Sequence, residues 1–474
     1  MSTDIKLKEF LELPYDQLEE LNLNARSITD AYKAKKEHVG ALKAEPGIKA
    51  VTVCFCNIEG RLHMLDYDKK FLLNSLDNLT FDGSSIRGFS ELHESDLRLI
   101  IDWTSLTYLP SDVFGPGKVA VFANVAGRDL KPYESDFRGR LQDYAKKIKS
   151  SKGIEGFMAP EIEGFILDGI DAEQCYDKKE GFKLMTTGGY FNSLPLDKLR
   201  RFIDTTAEVL RAMGFKNEKD HPEVAPSQFE SNFSYTDVVR ACDQVLLYKL
   251  VCRQVAHTMG MTTTFLPKPI QGLNGNGMHT NFSLAKNGKN IMYDKSGRDG
   301  LSKIGWEVIE KLLNRGSEIS LILNSSVNSY RRLDPNYEAP NQIKASANDR
   351  GSMIRIPFGN ERSARIELRS VSPDANPYLL LYTVMKIAME DKVPPAANKR
   401  QRLKFLPSNI NDALRQFRAS SFTTALLGKS TKEKYLEYKQ ATAYRNPREL
   451  GDYIKEAEIL YHHEVTNQHL WSKF

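Results

Sequence analysis

Five glutamates on strand-like segments, together with one histidine, carry the chemistry of this chain. Glu161 and Glu163 stand at i and i+2 in FMAPEIEGFIL (157–167), so both project from one face of a strand in apolar company. Glu223 and Glu230 bracket EVAPSQFE, and Glu367 lies mid-strand in RIELRS. A lone buried carboxylate costs several kcal/mol unless a cation compensates it. Arginine can supply part of that positive charge and a divalent metal the rest. Oxygen-rich donor sets suit Mg²⁺ or Mn²⁺, and the imidazole of His279, in NGNGMHTNFS, tilts this one slightly towards Mn²⁺ or a mixed preference. Singly, each residue has a plainer reading: a glutamate on a solvated face, or a histidine satisfied in the core.

Arginines form a second constellation. Arg331, Arg332, Arg350, Arg355, Arg365 and Arg369 crowd positions 331–369, with Arg355 and Arg365 among apolar residues. Guanidinium groups bind carboxylates and phosphates bidentately, and metal ions plus converging cations are what phosphoryl transfer requires. An ion-pair network with the same glutamates is the alternative, and both can hold. Gly275-x-Gly277 follows no strand-to-helix signal of a dinucleotide site but lets backbone approach a ligand closely. TTALLGKS (423–430) has Thr423 where a phosphate loop needs glycine, so Gly428 reads as a helix stop.

The elements that must position these residues follow from periodicity. Residues 1–45 read as a Lys/Glu-rich helical leader. AVTVCFC (50–56), RLHMLDYD (61–68), LRLIIDW (97–103) and KVAVFANV (118–125) read as strands, with Gly115-Pro116-Gly117 as a turn. Beyond Pro132, helices are expected over 134–150, 303–323 and 377–391 and from 409 onward. Strands are expected at 157–167, TTFL, TNFSL, MIRIP and RIELRS, and Thr236 could cap a long helix closed by Gly260. A small β-rich module thus precedes a larger α+β module, with the seam near 130–135.

Composition bounds the function. The 474 residues carry 66 Lys plus Arg against 61 Asp plus Glu, a net charge of +5, too small an excess to imply nucleic acid or a membrane partner. No apolar run spans a bilayer, and the charged N-terminus lacks a signal core. Cys54, Cys56, Cys175, Cys242 and Cys252 are scattered without a C-x-x-C pair, which suits a reducing cytoplasm.

The ordered segments resemble glutamine synthetase of the large-ring bacterial and archaeal type, over about 50–435. KPIQGLNGNGMHTNFS (268–283) is similar to its ATP-region signature, and FDGSSIRGF (81–89), followed by ESD (94–96), to its subunit-boundary latch. NSYRRLDPNYEAP (328–340), ASANDRGSMIRIP (345–357) and RIELRSVSPDANPYL (365–379) resemble its glutamate- and phosphate-binding strands. The resemblance implies an α+β fold: a helical leader (1–45), a β-grasp-like domain (46–132) carrying Asp82, and a catalytic domain (133–474) with a curved antiparallel sheet flanked by helices and a helical tail.

It further implies ATP-dependent ligation of ammonia to the side-chain carboxylate of L-glutamate through γ-glutamyl phosphate. Glu163, Glu223 and Glu230 would hold one Mg²⁺ or Mn²⁺ ion, and Glu161, His279 and Glu367 the other. Arg350, Arg355 and Arg365 would meet phosphates, with Lys268 and Ser283 in the nucleotide region, though Lys268 could equally be structural. Asn274 and Gly275 would meet glutamate, with Arg332 and Arg369 on its carboxylates. Asp82, Tyr190 and Glu338 match the ammonium pocket and the flap that closes it; Asp82 could also cap its own turn. Family members form dodecamers of two stacked hexameric rings with active sites between subunits, so a homo-oligomer is expected.

Some positions depart from the family pattern: Pro222 replaces a usual His, Ser227 and Phe229 replace a Gly and a His or Asn, Gly164 an aromatic, and Asn281 a second His. VPPAANKRQRLKFLP (393–407) offers no tyrosine for adenylylation, and the terminal EVTNQHLWSKF is unlike the usual ending. Rival readings are a relative that ligates glutamate to a polyamine or ethanolamine, a catalytically silent ring-forming protein, and a two-metal phosphohydrolase.

Overall fold

Two sheets organise the chain, one in each module. In a computed structural model the described residues are 10–443 apart from 87–88, 91–94, 173–174, 176–181, 187, 193–196, 271 and 396–402. The first module contains α1 (Tyr15–Ser27), α2 (Ala31–Ala44), β1 (Ala50–Cys56), β2 (Leu62–Asp68), α3 (Lys69–Asn74), β3 (Thr80–Asp82), β4 (Asp96–Tyr108), α4 (Ser111–Phe114) and β5 (Lys118–Ala126). Its strands run β2-β1-β5-β4-β3, and only the central β1–β5 pair is parallel. β1 and β5 are Val-rich and buried along nearly their whole length, as strands covered on both faces must be. The helices of the 1–45 segment pack on this sheet: Ala25, Ala34 and Leu42 share a core with Val51, Val53, Val119 and Val121.

The second module begins with α5 (Phe137–Lys152), β6 (Ile154–Asp168), α6 (Lys198–Ala212), β7 (Asn217–Pro222), β8 (Gln228–Phe233), β9 (Thr236–Asp237), α7 (Val238–Thr258) and β10 (Met261–Thr264). It continues with β11 (Met278–Lys286), β12 (Lys289–Asn290), α8 (Lys303–Leu323), α9 (Val327–Arg332), β13 (Gln342–Ser346), β14 (Ser352–Arg355) and β15 (Ile366–Leu368). Helices α10 (Pro377–Glu390), α11 (Ile410–Ala419), α12 (Ser421–Leu427) and α13 (Lys429–Ala443) follow. Its curved ten-stranded sheet runs β13-β14-β15-β11-β6-β8-β7, with β9 and β10 pairing β6 and β12 pairing β11; β13–β14 is parallel and the rest antiparallel. Apolar faces of α5, α7, α8 and α10 cover this sheet in one continuous core.

Charge and hydrogen bonding fasten the modules together. Asp136 caps α5 by accepting from the Arg138 and Gly139 amides. The buried Arg138 guanidinium spans Asp243 (2.9 and 2.8 Å), Asp102 (2.9 Å) and Asn124 (2.7 Å), so α7, β4 and β5 meet on one side chain. Asn22, fully buried on α1, donates to the carbonyls of Tyr108 and Ala212 and so joins β4 to α6.

Several boundaries differ from the sequence expectation, β4 running on to Tyr108 and β6 starting at Ile154 among them. The cap of α7 is Asp237, whose carboxylate accepts from the Arg240 amide, while Thr236 pairs with Met158 in β9. The TTFL strand stops at Thr264, and Phe265 and Leu266 leave the sheet into the core. Gly428 ends α12 at a positive φ of 84°, which favours glycine. Cys54, Cys56, Cys242 and Cys252 are buried thiols outside any disulfide, and no helix among the described residues is long and apolar enough to cross a membrane. The first nine residues, Glu94 and the terminal EVTNQHLWSKF lie outside the described residues, as does the middle of 393–407.

Candidate active site

Register converts distant carboxylates into one cluster. Across β6–β11 Glu161 faces His279; across β6–β8 Glu163 faces Glu230; across β7–β8 Glu230 faces His221; and across β11–β15 Asn281 faces Glu367. The pleat places alternate residues on one face, so Glu161 and Glu163 both reach it. His279 Nδ1 lies 3.5 Å from Glu161 Oε2 and 3.6 Å from Glu367 Oε1, and its Nε2 lies 3.9 Å from Glu163 Oε1. Ligand atoms of Glu161, His279 and Glu367 fall within 4.8 Å of one another, as do those of His221, Glu223 and Glu230.

These groups line or underlie a cavity of about 650 Å³ that is also lined by arginines. Arg332, Arg350, Arg355, Arg365 and Arg369 line it with Tyr190, Asn274, Gly275 and Glu338. Glu367, fully buried below His279, accepts from Arg355 (2.7 Å) and Arg369 (2.8 Å). Arg365 donates to Asn281, which donates to Glu161. Glu338 adopts a positive φ of 61° and accepts from Arg350 at 3.1 Å. Arg332 NH1 and Arg369 Nε are buried donors without a protein partner.

Electrostatics divides the carboxylates. Burial would raise Glu161, but His279 and Asn281 bring it down to about 2. Burial raises Glu163 against the pull of His279, with Glu230 adding to the rise. Glu223 is pushed up to about 9 by burial and by the charges of Glu163 and Glu230. Such crowding of mutually repelling carboxylates is compensated when a cation joins them.

The glycine loop after Lys268 is shaped by its neighbours. A Cβ on Gly275 would strike the Pro267 carbonyl and the Arg332 side chain, and one on Gly277 would lie 2.6 Å from Arg332 NH2 and 2.7 Å from His279 Nε2. Lys268 does not line the cavity. Its ammonium, lowered to about 8 by burial, donates to the Leu273 carbonyl and sits 3.7 Å from the Tyr337 ring centroid, behind the wall. Ser283 lines a neighbouring cavity of about 530 Å³ with Phe157, Tyr235, Asn290, Glu361 and Arg362. Asp82 lies outside both cavities, exposed at the end of β3, where it accepts from the Ser84 and Ser85 hydroxyls and the Ser84 amide; the hydroxyls hold its carboxyl below the ordinary range.

His221, Lys219, Gln228 and Phe358 also line or join the site and escaped the sequence reading. The sequence signal for His221 is its i, i+2 spacing to Glu223, which the structure places just past the end of β7.

A grasp-like sheet module followed by a curved sheet that faces paired carboxylates with arginines defines a two-domain enzyme built to handle anionic substrates. Residues 134–454 match the family model for the catalytic domain of glutamine synthetase, and residues 47–126 that for its beta-Grasp domain. The glutamine synthetase of Thermus thermophilus is 34% identical over 431 residues, covering 86% of this chain and 94% of the relative. That of Methanosarcina mazei is 33% identical over 444 residues, covering 88% and 97%. In fold, the chain is similar to Plasmodium falciparum glutamine synthetase (TM-score 0.76, 19% identity, 94% of this chain and 99% of that one). A GmaS/ADP complex is also similar (TM-score 0.75, 23% identity, 91% and 100%). The chain belongs to the glutamine synthetase family, and its activity is glutamate–ammonia ligation.

Proposed function

We propose that this chain ligates ammonia to glutamate at the cavity between the carboxylate cluster and the arginines, using ATP to activate the side-chain carboxylate. The observation that carries the assignment of the site is the convergence of Glu161, Glu163, Glu223, Glu230 and His279 on one cavity, with Glu367 directly below. Glu161, His279 and Glu367 would hold one divalent ion, and Glu163, Glu223 and Glu230 a second. The donor chemistry, mostly carboxylate oxygen with one imidazole in this set, fits Mg²⁺ or Mn²⁺. Ions held there would neutralise triphosphate charge and the charge that develops on the transferring phosphoryl group.

β11 acts as a ruler for the nucleotide. His279, Asn281 and Ser283 alternate along one face, and four residues of strand span about 13 Å. The aromatic cavity at Ser283, where Phe157 and Tyr235 rings meet edge to face at 5.7 Å, takes the adenine, while the triphosphate extends towards His279 beneath Arg355 and Arg365. Lys268 supports this region by holding the Leu273 carbonyl rather than by touching nucleotide.

Glutamate lies between the two walls. The unpartnered donors of Arg332 and Arg369 suit its carboxylates, and Asn274 and Gly275 border it. Its side-chain oxygen attacks the γ-phosphorus, ADP departs, and an acyl phosphate with a good leaving group remains. Arg350 stabilises the transferring charge. Tyr190, Glu338 and Asp82 form the acceptor pocket, where Asp82 takes a proton from ammonium so that ammonia attacks the carbonyl carbon and phosphate leaves. Glu338 covers the acyl phosphate against water.

Asp82 does not line the cavity of its own subunit, which supports a site completed by the neighbouring first module in a ring, and a dodecamer of two six-membered rings is the assembly proposed. A cytoplasmic location accords with the buried free thiols of Cys54, Cys56, Cys242 and Cys252. The test is an amine panel with ATP, glutamate and Mg²⁺ or Mn²⁺. Glutamine and phosphate should form with ammonium; turnover only with a bulkier amine, or none, would overturn the assignment.

A further inference from the structure

We propose that His221 is itself a metal ligand, its Nε2 joining Glu223 and Glu230, so that each of the two ion positions carries one imidazole. The inference rests on the two-ion reading above. It starts from a row across three paired strands: Glu163 on β6 faces Glu230 on β8, and Glu230 faces His221 on β7. One residue of the row, Glu230, is therefore flanked by a carboxylate on one side and an imidazole on the other.

The imidazole is set up to bind. His221 is only 6% exposed, and its Nε2 has no hydrogen-bond partner although it is buried. Nδ1 lies 3.1 Å from the Pro222 carbonyl, which can only accept, and 3.6 Å from Glu223 Oε1, so the ring donates on that side and leaves its lone pair on Nε2. A histidine that donates through one nitrogen to a carbonyl while the other faces a carboxylate, here Glu230, has the orientation of a metal ligand. Nε2 is 3.6 Å from Glu230 Oε1, and donors about 2.1–2.2 Å from a shared ion stand about 3–4 Å apart. The Phe191 ring packs edge-on at 4.8 Å and Tyr190 at 5.5 Å, which fixes the ring and keeps it dry. The trio His221, Glu223 and Glu230 reproduces the trio His279, Glu161 and Glu367. Imidazole favours Mn²⁺ over Mg²⁺, so the second position should discriminate between them as the first does.

Pulsed EPR of the full-length protein loaded with Mn²⁺ tests this by counting histidine nitrogen couplings, with ¹⁵N-histidine labelling to assign them. Wild-type protein at two equivalents of Mn²⁺ should show a nitrogen-coupled ion at each position. His279→Asn, which leaves His221 intact, should keep one nitrogen-coupled ion, and adding His221→Asn should remove it. His221→Asn alone should weaken one of the two Mn²⁺ ions about tenfold or more while shifting Mg²⁺ binding less. Loss of all nitrogen coupling in His279→Asn, or one coupled ion out of two in the wild type, would overturn the role of His221 and leave the two-ion site standing. Uptake of fewer than two ions by the wild type would overturn the two-ion reading and this inference together.

Discussion

Arg355 and Glu367 face each other across the β14–β15 pair, and their side chains meet at 2.7 Å below the cavity floor. Arg369 takes the other Glu367 oxygen at 2.8 Å, so a fully buried carboxylate is compensated before any ion arrives. Removing it strands the buried Arg369 guanidinium. Glu367→Ala should therefore destabilise the chelator-treated protein by about 3 kcal/mol. Arg355→Ala should cost about 1 kcal/mol or less, because that side chain is 40% exposed and water can take its place. Urea denaturation in EDTA measures both; equal costs would show that the Arg369 contact contributes nothing.

Glu223 sits at the opposite electrostatic extreme. Burial and the charges of Glu163 and Glu230 lift its carboxyl to about 9, so near neutral pH the metal-free site holds a proton that a bound cation must displace. Mn²⁺ binding should release protons at pH 7, and apparent affinity should rise by up to about tenfold per pH unit until the carboxyl is ionised. The same raised value gives metal-free protein a stability contribution that is complete below the ordinary carboxyl range and declines as pH climbs towards the raised value. Calorimetry in buffers of different ionisation enthalpy reads the proton release, and Tm against pH in EDTA reads the decline. A binding heat independent of buffer would contradict the first part.

Glu338 lines the cavity from a strained position. Its φ of 61° is costly for a residue with a Cβ, and Arg350 donates to its carboxylate. If that carboxylate excludes water from the acyl phosphate, Glu338→Ala should uncouple the reaction. Phosphate release should exceed glutamine formation, where the wild type keeps them equimolar, and the excess should persist without ammonium but require glutamate. Side-by-side phosphate and glutamine assays decide; a slower but still equimolar variant would assign Glu338 to positioning alone.

The parts of this site legible from sequence were those with local periodicity. Glu161 and Glu163 announce a shared strand face by their spacing alone, and His279 stands out just after two glycines that the structure shows must be small to pass Arg332. His221 is harder to read, because its pairing with Glu230 depends on a β7–β8 register that no local pattern specifies. Lys268 illustrates a second limit: a lysine beside a glycine loop reads the same whether its ammonium faces a phosphate or the loop's own carbonyl, and here it faces Leu273. Asn22 illustrates a third, since a polar residue in a Lys/Glu-rich segment gives no sign that it will be buried between two carbonyls.

Asp82 is the one acceptor-site candidate that its own subunit does not bring to the cavity. It is exposed at the tip of β3, while Arg332 is buried in the opposite module. Asp82→Ala and Arg332→Ala should each lose most activity in homogeneous assemblies. In a ring where each site draws Asp82 from a neighbour, randomly mixed subunits of the two variants should regain about a quarter of the sites, since one subunit's intact Arg332 can meet the next one's intact Asp82. Co-expression with two affinity tags, followed by tandem purification and a glutamine assay, measures the recovery. Within homogeneous Asp82→Ala protein, ammonium use should fall by at least about a hundredfold while ATP binding changes little, because proton removal is the step lost. If Asp82 served its own subunit, mixed assemblies would contain no intact site, and activity would stay at the level of either parent.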